Sequence, residues 1–214
     1  MRIVENAVKL GTSWKPFIGF VMDFRGPAES AGAPLRKIPG AGRNMEIEAI
    51  SGRNRRETAE FLKARWFSDK MAVRGELVDL AALPGFVARE GGRIVGAVTW
   101  REKSREEWEI LSLDSILERR GVGTALLNRA VGAARAARCA WVTLIATNDN
   151  TGAMRFYQRR GFDMARLYRD ALDADRRLKP SIPLRGEGGI PLRHEVEFRL
   201  ALTPEKPGPE KAAP

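Results

Sequence analysis

A chain of 214 residues, 43% hydrophobic and 30% charged, can hold one sizeable core with tails, and no stretch of it approaches the roughly 20 apolar residues of a membrane span. Its single cysteine, Cys139, excludes a disulfide-stapled secreted fold, and a cytoplasmic, reducing setting is expected. The net charge of +10 favours an anionic ligand or simple solubility, and arginines scattered without interleaved aromatics argue against nucleic-acid binding.

Residues 1–44 carry Gly-Pro, Ala-Pro and Ile-Pro-Gly steps with no sustained period, so a disordered N-terminal extension is expected there. The short apolar run from Phe17 to Met22 lacks a signal-peptide cleavage pattern. Met45 opens an alternating strand that runs to Ile50, and the functional domain is expected to start there. From Asn54 to Phe67 the apolar spacing predicts an amphipathic helix, and Glu76 to Leu83 a short second helix before Pro84-Gly85. Phe86 to Trp100 reads as a hairpin around the turn Glu90-Gly91-Gly92-Arg93. Glu106 to Asp114 is the next strand. Residues two apart in a strand share a face, so Glu107, Glu109, Leu111 and Leu113 are expected to look the same way.

That strand leads into Glu118-Arg119-Arg120-Gly121-Val122-Gly123-Thr124, which opens an alanine-rich helix over residues 121–138. Two glycines at a strand-to-helix junction let main-chain N–H groups point outward at the positive end of a helix dipole, which makes a seat for an anion such as a phosphate. Taken alone, the pair is equally compatible with a turn glycine followed by a helix-start glycine. A P-loop would place Lys-Ser/Thr after the second glycine, where Thr124-Ala125 stands. A dinucleotide fold would place a third glycine at Leu126. Trp141 to Ala146 is a buried strand with Cys139 as a small apolar residue before it, and Thr147 to Thr151 supplies helix N-cap residues. A helix to Arg160 then ends at Gly161, and Phe162 to Tyr168 forms a strand. Asp170 to Leu178 reads as a helix, residues 180–191 as a long loop, Leu192 to Leu202 as a closing strand, and residues 203–214 as a disordered tail.

Asn150, Ala153, Phe156, Tyr157, Gly161 and Phe162 stand at the spacing Asn-x-x-Ala-x-x-Phe-Tyr-x-x-x-Gly-Phe, about 30 residues after a Gly121-x-Gly123 turn. On these residues the chain resembles the GNAT superfamily of acyl-CoA-dependent N-acyltransferases, over roughly Met45 to Leu202. The resemblance implies an α/β (α+β) fold with a central mixed, twisted sheet flanked by helices. It implies acetyl-CoA as cosubstrate, its diphosphate on Arg119, Arg120, Gly121, Val122, Gly123 and Thr124. Its pantetheine arm would then lie in a gap between strands, against main-chain groups near Leu113 and the side chain of Asn150. Trp66, Phe67 and Met71 would border the acceptor pocket by the resemblance, while the residues themselves read first as ordinary core packing. Glu118 departs from the Gln or Arg usual three residues before the first glycine, and puts a carboxylate beside the diphosphate.

Direct attack of an amine on a thioester needs proton removal from the amine and a proton for the leaving sulfur, with no hydrolytic triad; His194, the single histidine, is far from the turn. By resemblance Tyr157 is the expected general acid. Glu109 is the expected base and Glu107 the runner-up, both taken to face the gap, with a water chain as the other option. The acceptor is expected to be a primary amine on a small molecule or protein, and the oligomer a monomer or homodimer. A coenzyme-binding or basic protein- or nucleic-acid-binding module without turnover is the alternative. A cationic aminoglycoside acceptor would call for an acidic pocket, which so basic a sequence does not announce.

Overall fold

The computed structural model describes residues 45–66, 68 and 70–202. The two expected disordered ends, 1–44 and 203–214, lie outside the described residues, as does Phe67. Seven strands form one sheet: β1 (Met45–Ala49), β4 (Gly85–Glu90), β5 (Arg93–Glu102), β6 (Glu107–Ser115), β7 (Trp141–Thr147), β9 (Glu195–Ala201) and β8 (Asp163–Tyr168), side by side in that order. Every neighbouring pair is antiparallel except β6 and β7. The β4–β5 hairpin turns through Gly91 and Gly92, both at positive φ, as that dipeptide predicts.

Four helices flank the sheet: α1 (Arg55–Trp66), α2 (Val122–Ala136), α3 (Thr151–Gln158) and α4 (Ala171–Leu178). One sheet face packs on α2 and α3 through Leu126, Leu127, Ala130, Phe156 and Tyr157, against Val98, Trp100, Ile110 and Leu144. The other face packs Leu62 and Trp66 of α1 on Val87, Ala97 and Leu111. Among the described residues no helix is long and apolar enough to cross a membrane.

Two expectations are corrected. Glu76 to Leu83 is not a helix: it is β3 (Glu76–Asp79) followed by one 3-10 turn (Leu80–Ala82), and β3 pairs with β2 (Lys70–Val73). Arg74 and Gly75 join the two at positive φ, a tight-turn geometry that cross-strand pairing enforces over an eight-residue helical pattern. The second correction is of side-chain direction in β6. Thr99 pairs with Ser112 but Trp100 pairs with Ile110, so Leu111 is an extra residue, a β-bulge. Leu113 therefore joins Ile110 on the α2 side, while Leu111 lies in the α1 cluster. Strict alternation from Glu107 fails at that residue.

The same bulge shapes the middle of the sheet. β6 and β7 pair in parallel from Glu107↔Trp141 to Ile110↔Leu144 and no further. Beyond it β7 stays with β9 to Thr147↔Glu195, and β6 stays with β5 to Ser115. A bulged strand bends and twists more strongly, so the two part.

The close seat of α2 on β5 is fixed by a missing side chain. A Cβ on Gly96 would stand 2.8 Å from Asp114 O, 2.8 Å from Val122 Cγ1 and 2.9 Å from Leu126 Cδ1. Gly96→Ala is expected to lower the unfolding free energy by roughly 1–3 kcal/mol, read from the urea midpoint at constant slope; an unchanged midpoint would show that α2 can lift without cost.

Candidate active site

β6 leads through residues 116–121 into the start of α2; Arg119 to Thr124 are not among the residues that line the cleft between β6 and β7. Gly121, its N-cap, is left-handed at φ 78° and offers no side-chain cap, and Arg119 is also at positive φ. The first N–H bonded inside the helix is that of Ala125, to Gly121 O at 2.9 Å. The N–H groups of Val122, Gly123 and Thr124 precede it at the dipole's positive end, as an anion seat requires. Arg120 is paired with Glu90 at 2.6 Å. A second cation approaches from α3: Arg160 bonds Thr124 Oγ1 and Phe156 O, and lies over the Phe156 ring. Burial lowers its guanidinium to about 10.

The gap itself is a cleft of about 810 Å³, partly open to solvent and walled by residues 110–113 of β6 and 144–147 of β7. Leu113, Asn150 and Tyr157 all line it, as do Trp66 and Met71. Asn150 caps α3, its side chain accepting from Ala153 N at 2.9 Å. Tyr157 is almost fully buried among Phe156, Phe162 and Phe198. Burial pushes its hydroxyl well above the usual phenol range, so the group is a proton donor throughout the physiological range.

The two glutamates taken to face the gap do not. Neither Glu107 nor Glu109 lines the cleft. Glu109 is fully buried, with Oε1 accepting from Arg74 Nη2 and Oε2 from Arg101 Nε at 2.7 Å. Glu107 accepts from Lys103 Nζ at 2.7 Å and Thr143 Oγ1 at 2.8 Å. Burial would raise its pKa, but these donors hold it below the ordinary value. The arginine–glutamate network continues outward, from Arg101 to Glu76 at 2.6 Å and from Arg74 towards Glu197, which accepts from Tyr168 at 2.7 Å.

The far end of the cleft is built by the excursion between β8 and β9, and here sequence reasoning found an unassigned loop. Asn148 and Asp149 clamp it. Asn148 Oδ1 accepts from Arg193 N and His194 N, and Asp149 Oδ2 from Glu187 N at 2.9 Å. His194 accepts from Asp170 N through Nδ1 at 2.9 Å and so holds the start of α4. Asp175 of α4 accepts from Gly75 N at 2.7 Å, tying α4 to the β2–β3 turn. Glu195, the first residue of β9, lines the cleft and is 2% exposed. Burial, and then the neighbouring Asp175 charge, push its carboxyl up to about 8. The sequence reading did not single out Glu195, which alternates with Val196 and Phe198 as one of the polar positions of the closing strand; its acidic neighbour Asp175 is 20 residues away and met by folding alone.

With this geometry in place, the comparisons with known proteins are specific. Residues 52–162 match the Acetyltransferase (GNAT) family, and the chain belongs to that family. The uncharacterised protein YdhI of Bacillus subtilis (strain 168) is 40% identical over 144 residues, 67% of this chain and 89% of its own. A GNAT family acetyltransferase from Elizabethkingia anophelis, solved with acetyl-CoA bound, superposes with a TM-score of 0.55 at 14% identity, over 74% of this chain and 99% of that one. The yncA protein of Salmonella typhimurium, solved with its cofactor acetyl-CoA, gives 0.55 at 16% identity over 78% and 98%. The similarity to these structures is one of fold.

The Glu195 carboxyl sets a pH dependence of stability. Its pKa is about 8 in the folded chain against 4.5 ordinarily, so between these values the folded chain keeps a proton that the unfolded chain has lost. Stability therefore falls as pH rises through that window, in total by on the order of a few kcal/mol, and Asp175, also raised, adds in the same sense. Glu195→Gln is expected to flatten this fall when urea denaturation is compared at three pH values spanning the window; an equal slope in both proteins would contradict the burial argument.

Proposed function

We propose that this protein is an N-acetyltransferase that moves the acetyl group of acetyl-CoA onto a primary amine by direct attack. The observation that carries the reading is the parted parallel pair: a cleft between β6 and β7 with Tyr157 in its wall, and an uncapped helix start that follows β6 in the chain. Acetyl-CoA is long, flexible and anionic at its diphosphate, and each part has a counterpart here. The diphosphate would sit on the N–H groups of Val122, Gly123 and Thr124, with Arg119, Arg120 and Arg160 supplying positive charge around it. The pantetheine arm would lie along β6 beyond the bulge, near Leu113, where no neighbouring strand takes up the edge on the β7 side. Asn150 would donate through its amide nitrogen while its oxygen keeps the helix cap.

In this pose the thioester comes to rest beside Tyr157. Amine attack on the carbonyl carbon forms a tetrahedral adduct; its collapse expels the thiolate, which takes a proton from the Tyr157 phenol. The ring recovers a proton from the new amide nitrogen. Both oxygens of Glu109 are taken by guanidinium donors and the side chain does not line the cleft, so we assign Glu109 the task of fixing Arg74 and Arg101. The bound solved relatives and family membership support the coenzyme assignment and leave the acceptor to the chemistry of the cleft.

Acetyl-CoA is expected to raise the melting temperature of the protein. Gly121→Val, which forces a β-branched side chain into a left-handed position, is expected to weaken acetyl-CoA binding at least tenfold by calorimetry. Tyr157→Phe is expected to lower kcat by about 10²-fold with acetyl-CoA affinity kept, measured by thiol release on an amine panel. A Tyr157→Phe enzyme with unchanged kcat removes the acid role, and binding without any thiol release identifies a coenzyme-binding module without turnover.

A further inference from the structure

Two of the residues lining the cleft, and one behind it, carry a buried polar atom that finds no hydrogen-bond partner: Glu195 Oε2, Trp66 Nε1 and Asp175 Oδ2. Glu195 and Trp66 both line the cleft, and all three side chains are at least nine-tenths buried. Orphaned polar atoms are costly in a protein interior, so each calls for an explanation. Two of them explain each other. Asp175 and Glu195 are close enough for a side-chain hydrogen bond. Two ionised carboxylates are both acceptors and cannot form it; one proton shared between them satisfies both oxygens. The pair then carries a single negative charge.

We propose that Glu195 and Asp175 form a proton-sharing carboxyl pair that seats the ammonium group of the acceptor, and that Glu195 takes the proton the amine must lose before attack. This rests on the acetyltransferase reading and adds to it a base that the sequence placed elsewhere, on Glu109. The charges facing the pair partly cancel. Arg74 from the β2–β3 turn and Glu109 from β6, bonded to each other, act on Glu195 in opposite directions, Lys179 lines the cleft after α4, and Tyr168 is the cross-strand partner of Glu195. Glu109 already neutralises Arg74 and Arg101 in part, so the pair is not simply overwhelmed by cations. Asp175 does not line the cleft; it is a positioning residue that holds Glu195 and keeps its proton affinity high.

The proton count closes. With Glu195 ionised, it takes one proton from R–NH3+ to give R–NH2, and later releases it to water. The nitrogen attacks the thioester carbon, the C–S bond breaks, and the second nitrogen-bound proton replaces the one Tyr157 gives to sulfur. The products are the amide, the free thiol and one solvent proton. A base titrating at about 8 lies between neutral pH and the range of free alkylamines, where proton transfer in either direction is fast. Met71, Val73 and Ile182, which line the same cleft as Glu195, are apolar, so a single ammonium on an apolar stem is the matching acceptor class.

The probe is n-hexylamine. Carboxyl NMR of the free protein is expected to show one glutamate titrating near pH 8, missing in Glu195→Gln and moved to lower pH in Asp175→Asn. A spectrum in which every glutamate titrates as a free carboxyl overturns the pair. In thiol-release assays, wild-type kcat/KM for n-hexylamine is expected to rise through pH 8. Glu195→Gln should lose at least tenfold at pH 9, keep acetyl-CoA affinity within twofold, and retain only the rise set by free amine at still higher pH. A Glu195→Gln profile matching wild type overturns the base. Protein that binds acetyl-CoA but neither binds nor acetylates n-hexylamine overturns the amine seat. Protein that fails to bind acetyl-CoA instead sinks the transferase reading, and the NMR titration judges the carboxyl pair separately.

Discussion

A parallel ladder that stops half way is the constraint on which the rest depends. Pairing between β6 and β7 ends at Ile110 and Leu144, although both strands continue for several residues. Backbone N–H and C=O groups in a sheet interior are normally paired almost without exception, so two facing strand edges left apart are costly unless water or a ligand serves them. The Leu111 bulge on one side and the β7–β9 ladder on the other keep them apart. The opening is therefore built into the registers of the sheet.

The two faces of the sheet are built differently. On one, α2 is held close by Gly96, and its uncapped N-terminus follows β6 in the chain. On the other, the β2–β3 hairpin and α4 are roped together by Asp175 to Gly75 and Lys179 to Lys70, over a small cluster of Ala72, Leu172, Ile182 and Leu192. Asn148 and Asp149, at the end of β7, pin the loop that closes this face. Gly186 approaches Asp149 so closely that a Cβ would fall 1.8 Å from Oδ2. A glycine that read as mere loop composition is thus demanded by a single carboxylate.

Much of this was legible in the sequence because it is written in local signals. The Gly91-Gly92 turn, the Gly121 start of α2, the Asn150 cap and the Gly161 end of α3 each depend on the residue at one position and its immediate neighbours. The gap, too, followed from the resemblance those residues carry. What was not legible depends on contacts between distant segments. Residues 70–79 fold as a hairpin because they pair with each other and dock on α4, a gain that local propensity does not register. The bulge at Leu111 overrode period-two alternation, and the run from Glu107 to Leu113 offers no glycine or proline to announce it. Glu109 looked like a free carboxylate on a strand, and only folding brings Arg74 and Arg101 onto its two oxygens.

The buried charges make sense together more than singly. Removing an arginine or a glutamate from water is expensive, and ion pairs inside a protein repay this only with good geometry, so such networks are poor devices for stability. Here Glu109 joins Arg74 of the hairpin to Arg101 of β5, and Arg74 reaches on to Glu197 of β9. One network thus ties the hairpin to β5, β6 and β9 of the sheet and sets the position of the β2–β3 turn. That turn supplies the Gly75 N–H that orients Asp175, and through Asp175 the setting of Glu195. Positive main-chain ends gather where α2 begins, and carboxyl groups gather where α4 meets β9. In the proposed reaction the first would take the anionic diphosphate and the second the ammonium, so that opposite charges are received by different parts of the molecule.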